Sequence, residues 1–89
     1  MEDKKVIMTE GIEIQQIDND ALVLEPKSMA FYKLNETAKE ILNYCDGKNT
    51  VHNIAELIAK NYEMDSDEVL KDVIELVGNL QEINLVKLI

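Results

Sequence analysis

The stretch LNETAKEILNYCDG, residues 34–47, marks the point where this chain changes from strand to helix. Asn35 is a favourable N-cap residue, and Glu36 places negative charge in the first turn, where the helix dipole favours it. Gly47 can adopt the left-handed conformation that ends a helix. Between these signals, apolar residues recur at helical spacing: Ala38, Ile41, Leu42 and Cys45. The chain therefore divides near Asn35 into a strand-rich first half and a helical second half.

Three strands are predicted before Asn35, within residues 10–34. Ile12 and Ile14 alternate with polar neighbours at the period of two that is typical of a half-buried strand. A second apolar strand covers residues 21–25 and ends at Pro26, which cannot donate to a central ladder. The third covers residues 29–34. Because the connections between these strands are short, we expect an antiparallel meander.

Three helices are predicted between residues 35 and 84. Thr50 can cap the second helix, and Asp65 or Ser66 can cap the third. Asp65, Asp67 and Glu68 lack the spacing and the glycine of a calcium-binding EF-hand loop, so capping explains them better than a metal. Six apolar residues are expected in the core: Leu34, Ile41, Ile54, Val73, Leu76 and Leu80.

The third predicted helix carries two neighbouring apolar stripes instead of one. At about 100° per residue, the first stripe contains Val69, Val73, Leu76, Leu80 and Ile83, and the second contains Leu70, Ile74 and Val77. Together they cover about half of the circumference, which is wider than a helix packed on one neighbour requires. Two explanations stay open: the helix is central and covered on both stripes, or the second stripe lines an apolar groove beside the sheet.

Charge and composition exclude several classes of function. The formal net charge is −9, from 18 acidic and 9 basic residues. Nucleic-acid binding draws most of its affinity from Lys and Arg at phosphates, so a polyanion is an unfavourable partner. No apolar run approaches the ~20 residues that span a bilayer. The charged N-terminus lacks the apolar core of a secretory signal, which predicts a cytoplasmic protein without membrane contact.

The residues that most often carry chemistry are scarce. Cys45 is the single cysteine and His52 the single histidine, and they fall in different predicted elements. One of each cannot supply a four-ligand zinc site or a paired nucleophile and base. We therefore expect a protein without catalytic residues, bound metal or cofactor.

Motifs along most of the chain, from residue 11 to residue 86, resemble those of PqqD-like proteins. Each motif is common, but their order and intervals together are more specific. The glycine that the family usually has before its final apolar pair is replaced by Asn84, which is the next-best residue for a left-handed position. The matching motifs are LVLEP at 22–26, YKLNETA at 32–38, Ile41-Leu42, Asp46-Gly47, Thr50-Val51, Ile54-Ala55, Val69, Asp72-Val73, Leu76, Leu80 and Leu85-Val86.

This resemblance implies an α+β, winged-helix-like fold: a three-stranded antiparallel sheet followed by three helices. Residues 11–89 would form the domain, and residues 1–10 a preceding segment that can be flexible. The resemblance also implies a function. Such proteins are noncatalytic peptide chaperones that bind the leader of a ribosomally synthesised precursor peptide and present it to a modifying enzyme, for which a radical S-adenosylmethionine enzyme is expected. The alternative is a winged-helix DNA-binding regulator.

The implied binding mode is strand addition to the third strand, beside the third helix. Edge strands offer unpaired N–H and C=O groups to a peptide, and pockets between side chains add selectivity. Period-two alternation turns Met29, Phe31 and Lys33 away from the core. The residues expected to contact the peptide are Met29, Ala30, Phe31, Tyr32 and Lys33 in the strand, and Leu70, Ile74 and Val77 in the helix.

Overall fold

The computed structural model describes residues 3–89. It contains two three-stranded antiparallel sheets and three helices, which confirms the α+β class. The elements in chain order are β1 (Lys5–Met8), β2 (Glu13–Ile17), β3 (Asp20–Glu25), β4 (Ala30–Leu34), α1 (Glu36–Asn43), β5 (Asp46–Thr50), α2 (Val51–Tyr62), α3 (Ser66–Glu82) and β6 (Val86–Leu88).

The predicted meander is present as the sheet β2-β3-β4. Val23 at the centre of β3 lies opposite Ile14 on one side and Tyr32 on the other. The inner face of the meander contributes apolar residues to the core: Ala21 and Val23 are fully buried, and Leu34 lies in the same core. The turn between β3 and β4 contains Pro26, as its inability to donate a backbone hydrogen bond predicts.

A second sheet, with strand order β5-β1-β6, was not predicted. Its central strand β1 lies in the segment that the sequence analysis set apart as residues 1–10. Val6 in β1 is fully buried, and the strand is paired on both sides. The N–H of Met8 also donates to the carbonyl of Cys45 at 3.0 Å. The domain therefore begins before residue 11, and residues 5–8 are an integral part of it.

The helix starts follow the predicted capping residues. Asn35 Oδ1 accepts a hydrogen bond from the Ala38 N–H at 2.9 Å. Thr50 Oγ1 accepts from the Asn53 N–H, and the Asn53 side chain accepts from the Thr50 N–H, which completes a capping box. At the third helix it is Asp65 that acts as the cap, accepting from the Asp67 N–H at 2.8 Å.

The expected end of the first helix at Gly47 is wrong in detail. Helix α1 ends at Asn43 with Tyr44 as its cap, and Gly47 lies in β5 with φ +82°. A Cβ at this position would lie 3.2 Å from Ile7 Cδ1, so glycine allows both the backbone conformation and the close approach of β1. Asn84 does adopt the left-handed conformation predicted for it, with φ +63°.

The core lies between the sheets and the helices. Five of the six predicted core residues are buried, whereas Leu76 is half-buried against the core. Val77, which was expected to line a groove, is fully buried. Both apolar stripes of α3 thus contribute to the core. No helix in residues 3–89 combines the length and apolar character needed to cross a membrane.

Candidate functional site

Strand β4 lies at one edge of the meander. It pairs with β3 along its whole length, and no other strand of residues 3–89 pairs with its second side. Side chains alternate as predicted from the sequence: Tyr32 is half-buried and Leu34 buried on the inner face, whereas Phe31 and Lys33 are exposed. Phe31 leaves 63% of its surface exposed. The strand thus offers a free backbone edge with an apolar side chain on its outer face.

Met29 was expected at the start of this strand, but it lies in the preceding turn. Its φ is +57°, a left-handed conformation that is uncommon for a residue with a side chain. Its side chain is 66% exposed. The backbone edge available for pairing therefore begins at Ala30.

Helix α3 approaches β4 near both ends of the strand. Near its start, Val69 and Asp72 share a cavity with Asn35, the residue that follows β4. Beyond its end, Asn84 lies close to Glu25, which is opposite Ala30 at the start of β4. The close backbone packing of α3 is with α2 and β6, whereas α1 packs on β3 and β4. We call the space between β4 and α3, which these contacts bound at its two ends, the groove.

The carboxylate of Glu25 holds one end of this groove together. It is buried, and it accepts hydrogen bonds from the Lys27 N–H, from Ser28 Oγ at 3.3 Å and from Asn84 Nδ2 at 3.5 Å. Burial alone would raise the pKa of Glu25, but these hydrogen bonds outweigh it and lower the pKa below its ordinary value. Glu25 thereby connects the β3–β4 turn to the end of α3.

A cavity of about 400 Å³ lies at the other end of the groove, between the three helices. Its walls are mainly apolar, and Asn35, Thr37 and Asp72 are the polar residues of its lining. Asn35 places it directly beyond the last residue of β4. The lining residues are Asn35, Thr37, Ala38 and Ile41 from the strand end and α1, Ile58 and Tyr62 from α2, Met64 from the following loop, and Val69, Asp72, Val73 and Leu76 from α3.

The cavity is lined by the first apolar stripe of α3, which was expected to lie in the core. The first stripe lines it through Val69, Val73 and Leu76. Of the second stripe, Leu70 and Ile74 are half-buried and do not line this cavity. Val77 is inaccessible to a peptide because its side chain is fully buried. Asp72 is a signal in the sequence that could have indicated this face of α3, because it places a carboxylate beside the apolar residues of the first stripe.

A polar network fixes α1 to the end of α2 beside the cavity. Tyr62 donates to Glu40 Oε2 at 2.7 Å, and Asn61 Nδ2 donates to Glu40 Oε1 and to the Tyr44 hydroxyl, each at 3.0 Å. The hydrogen bond to Glu40 is the largest of the causes that raise the pKa of Tyr62, followed by burial and by the charges of Glu40 and Glu36. The wall formed by Tyr62 is therefore held in place.

Cys45 and His52 do not form a reactive pair. Cys45 Sγ donates to the Ile41 carbonyl at 3.2 Å, and burial followed by the charge of Asp46 raises the pKa of the thiol to about 12. His52 Nε2 lies 2.6 Å from Glu56 Oε1 on the exposed face of α2. Within residues 3–89, no three His, Cys, Asp or Glu side chains are grouped so as to hold a metal ion.

Solved structures share this fold at low sequence identity. TbiB1 in complex with the TbiA(beta) leader peptide has a TM-score of 0.81 at 16% identity, over 91% of this chain and 94% of that one. The PqqD truncation of Methylobacterium extorquens PqqCD, a stand-alone recognition element for ribosomally synthesised and post-translationally modified peptides, has a TM-score of 0.81 at 20% identity, over 98% and 93%.

A third structure, lasso peptide synthetase B1 complexed with the leader peptide, has a TM-score of 0.79 at 22% identity, over 93% of this chain and 98% of that one. The comparison with curated protein sequences gives no match. The sequence model of the family described as coenzyme PQQ synthesis protein D (PqqD) matches residues 20–86, which include β3, β4 and all three helices. The chain belongs to the PqqD family.

Proposed function

We propose that this protein recognises the leader of a ribosomally synthesised precursor peptide by adding it as a further strand to β4. The observation that carries the proposal is the free backbone edge of β4 beside α3. Two solved structures with the same fold are complexes with leader peptides, and a third is a recognition element. Their likeness to this chain supports the proposal through the shared architecture.

Strand addition divides affinity and selectivity between backbone and side chains. Alternate residues of β4 supply the backbone N–H and C=O groups that face the free edge and bind a peptide of any sequence. Alternate residues of an added strand face the inner side of the sheet, as Tyr32 does, and the others lie beside Phe31 on the outer face. Ala30, Phe31, Tyr32 and Lys33 are the proposed strand contacts. Leu70 and Ile74 remain predicted peptide contacts, whereas Leu76 is one of the α3 residues that line the cavity.

The proposed role is noncatalytic presentation of the peptide to a separate modifying enzyme in the cytoplasm, for which we propose a radical S-adenosylmethionine enzyme. Membership of the PqqD family supports this role. The buried, protonated thiol of Cys45 and the exposed pair of His52 and Glu56 also support it, because neither is arranged to activate a nucleophile.

DNA binding is disfavoured by the charges on the exposed side of α3. The start of this helix carries Asp65, Asp67 and Glu68, and Asp72, Glu75 and Glu82 are also exposed, against a single basic residue, Lys71. A helix inserted into a DNA groove would place these carboxylates near phosphates. Titration of labelled duplex DNA at low salt should therefore give no complex.

The proposal is tested with two proline variants in neighbouring positions. In an antiparallel pair, the N–H groups of consecutive residues point to opposite sides of the strand. Phe31→Pro and Tyr32→Pro therefore remove one N–H that faces β3 and one that faces the free edge. Loss of the N–H that faces β3 lowers the free energy of unfolding. Loss of the N–H that faces the free edge leaves the fold in place and blocks pairing with a peptide.

The probe is a fluorescent peptide that has been selected on the whole protein from a displayed library of short random peptides. We expect it to shift the amide resonances of residues 30–34 and to lose at least about tenfold in affinity for the stably folded proline variant. Full affinity for both variants would contradict strand addition. Comparing Ile74→Lys with Leu76→Lys then shows which face of α3 the peptide contacts.

A further inference from the structure

The cavity between the three helices lies beyond the strand-pairing site and has its own chemistry. Its deepest side chains are apolar and buried, namely Ile41, Val69 and Val73. Its entrance is formed by two more accessible apolar residues, Tyr62, which is 45% exposed, and Met64, which is 51% exposed. A volume of about 400 Å³ falls within the range of pockets that enclose a ligand group.

The entrance of this cavity is acidic. Asp72 contributes to its lining, and the charges of Glu36 and Glu40 are close enough to affect the hydroxyl of Tyr62. Across residues 3–89, the one ion pair shorter than 4 Å joins His52 to Glu56 and lies elsewhere. In the described part of the chain, the carboxylates around the cavity thus form no ion pair with a lysine, and they favour a ligand with positive charge.

We propose that the cavity holds a large apolar side chain of the leader peptide, at a position just beyond the residues paired with β4, and that Asp72 pairs with a Lys or Arg next to it. This proposal rests on the proposed function, since the strand on β4 delivers the peptide to the cavity. It adds a sequence requirement that backbone pairing alone does not impose.

The geometry of the strand end supports a single continuous ligand. Asn35 follows the last residue of β4 and also lines the cavity. A strand advances about 3.3 Å per residue, so the peptide residue that follows the one paired with Leu34 lies beside Asn35, which lines the cavity. The apolar walls supply binding energy through burial, while the acidic entrance selects among apolar peptides by charge.

The experiment uses the selected peptide described above and two pairs of variants of the whole protein. Met64→Ser removes an exposed apolar wall, and Ile17→Ser, at an exposed apolar position in β2, is its control. Asp72→Asn removes the carboxylate, and Glu82→Gln, on the last turn of the same helix, is its control. These positions are exposed, so the fold should tolerate all four changes.

We expect selected peptides to carry a large apolar residue flanked by Lys or Arg at one end of their strand-forming part. Met64→Ser should weaken binding about tenfold. Asp72→Asn should weaken it roughly threefold, and salt should diminish that difference. Both control variants should bind like the unchanged protein.

Two further results separate the inference from the proposed function. Amide shifts in residues 30–34 together with full affinity for Met64→Ser and Asp72→Asn would overturn the cavity assignment and leave strand addition standing. Shifts around the cavity without any shift in residues 30–34 would overturn strand addition, and with it the single continuous ligand proposed above. A selection that yields no binding peptide would also contradict the proposed function.

Discussion

The two sheets of this protein differ in how their strands are connected along the chain and in the role that we propose for their edges. The sheet β2-β3-β4 pairs consecutive strands through short turns and leaves β4 open at one edge. The sheet β5-β1-β6 pairs strands that are far apart in sequence: Lys5 lies opposite Thr50, and Val6 lies opposite Leu88. The first sheet is a local structure with an open edge at β4. The second joins the two ends of the domain.

This difference predicts unequal roles in stability. Closing a long loop costs conformational entropy that local hairpins avoid, so the second sheet forms only when the packing of its strands compensates for this cost. That packing is dense: Val6, Leu85 and Val86 are all essentially inaccessible to solvent. We therefore expect changes in β1 to affect the whole fold, and changes on the outer side of the meander to affect binding.

The largest expected effect is that of Val6→Asp. A carboxylate at this fully buried position has no partner, and we expect it to lower the free energy of unfolding by more than ~3 kcal/mol. For a domain of this size, such a loss is a large part of the total stability. Thermal unfolding followed by circular dichroism should show loss of the cooperative transition or a large fall in its midpoint.

The matched control for Val6→Asp is Ile17→Asp in β2. Ile17 is exposed at the end of an outer strand, so the carboxylate stays in water. We expect the cost to be less than ~1 kcal/mol, which reflects strand preference alone. Equal losses in the two variants would contradict the division of roles between the sheets.

The sequence predicted the meander from the alternation around Ile12 and Ile14, the apolar run that ends at Pro26, and the short connections between the strands. It did not predict β5, whose sequence Asp-Gly-Lys-Asn-Thr is polar throughout. In that strand Asp46 Oδ1 accepts from the N–H groups of Lys48 and Asn49, a pattern that sequence reading assigns to a turn. Strands β1 and β6 have four and three residues, too few to display a period.

The candidate site was predictable in its strand but not in its helix. The alternation in β4 placed Phe31 and Lys33 on the outer face, as the structure shows. The two apolar stripes of α3 are similar in character, so the periodicity of the sequence could not show which of them borders a ligand site. Which stripe borders the cavity depends on where α1 and the end of α2 lie, and that follows from tertiary packing alone. The same packing buries Val77.

The second largest effect is expected for a change at Glu25, at the end of the groove opposite the cavity. Glu25→Gln keeps the shape of the side chain but removes the charge. The amide NH2 group of the glutamine then faces a donor, either the Lys27 N–H or the Ser28 hydroxyl, and that hydrogen bond is lost. We expect a lower free energy of unfolding at neutral pH and weaker peptide binding, because the end of α3 is no longer held through Asn84.

The pH dependence distinguishes the charge of Glu25 from its shape. Since folding lowers the pKa of Glu25, its carboxylate stabilises the fold above the ordinary pKa of a glutamate, and this contribution is lost as the pH falls through the lowered value. Urea unfolding at a series of pH values should show the stability difference between the unchanged protein and Glu25→Gln shrinking in acid. A difference that is constant with pH would show that the charge is irrelevant.

A smaller effect is expected for Cys45→Ala, next to the second sheet. The substitution leaves a small cavity and should cost about 1 kcal/mol without changing peptide affinity. Because the pKa of the thiol is about 12, it should react with a disulfide reagent at mildly alkaline pH only when the protein unfolds. Rapid labelling of the folded protein would contradict the buried position of Cys45.

The smallest effect is expected for His52→Ala. His52 and Glu56 are both more than half exposed, and an exposed pair four residues apart on a helix contributes less than ~0.5 kcal/mol. The start of α2 is held instead by the capping box of Thr50 and Asn53, so Thr50→Ala should cost more, about 1 kcal/mol. Peptide affinity should be unchanged in both variants, because neither residue lines the groove. Loss of binding by a stably folded His52→Ala protein would instead give this histidine a direct role, and the noncatalytic interpretation would fail.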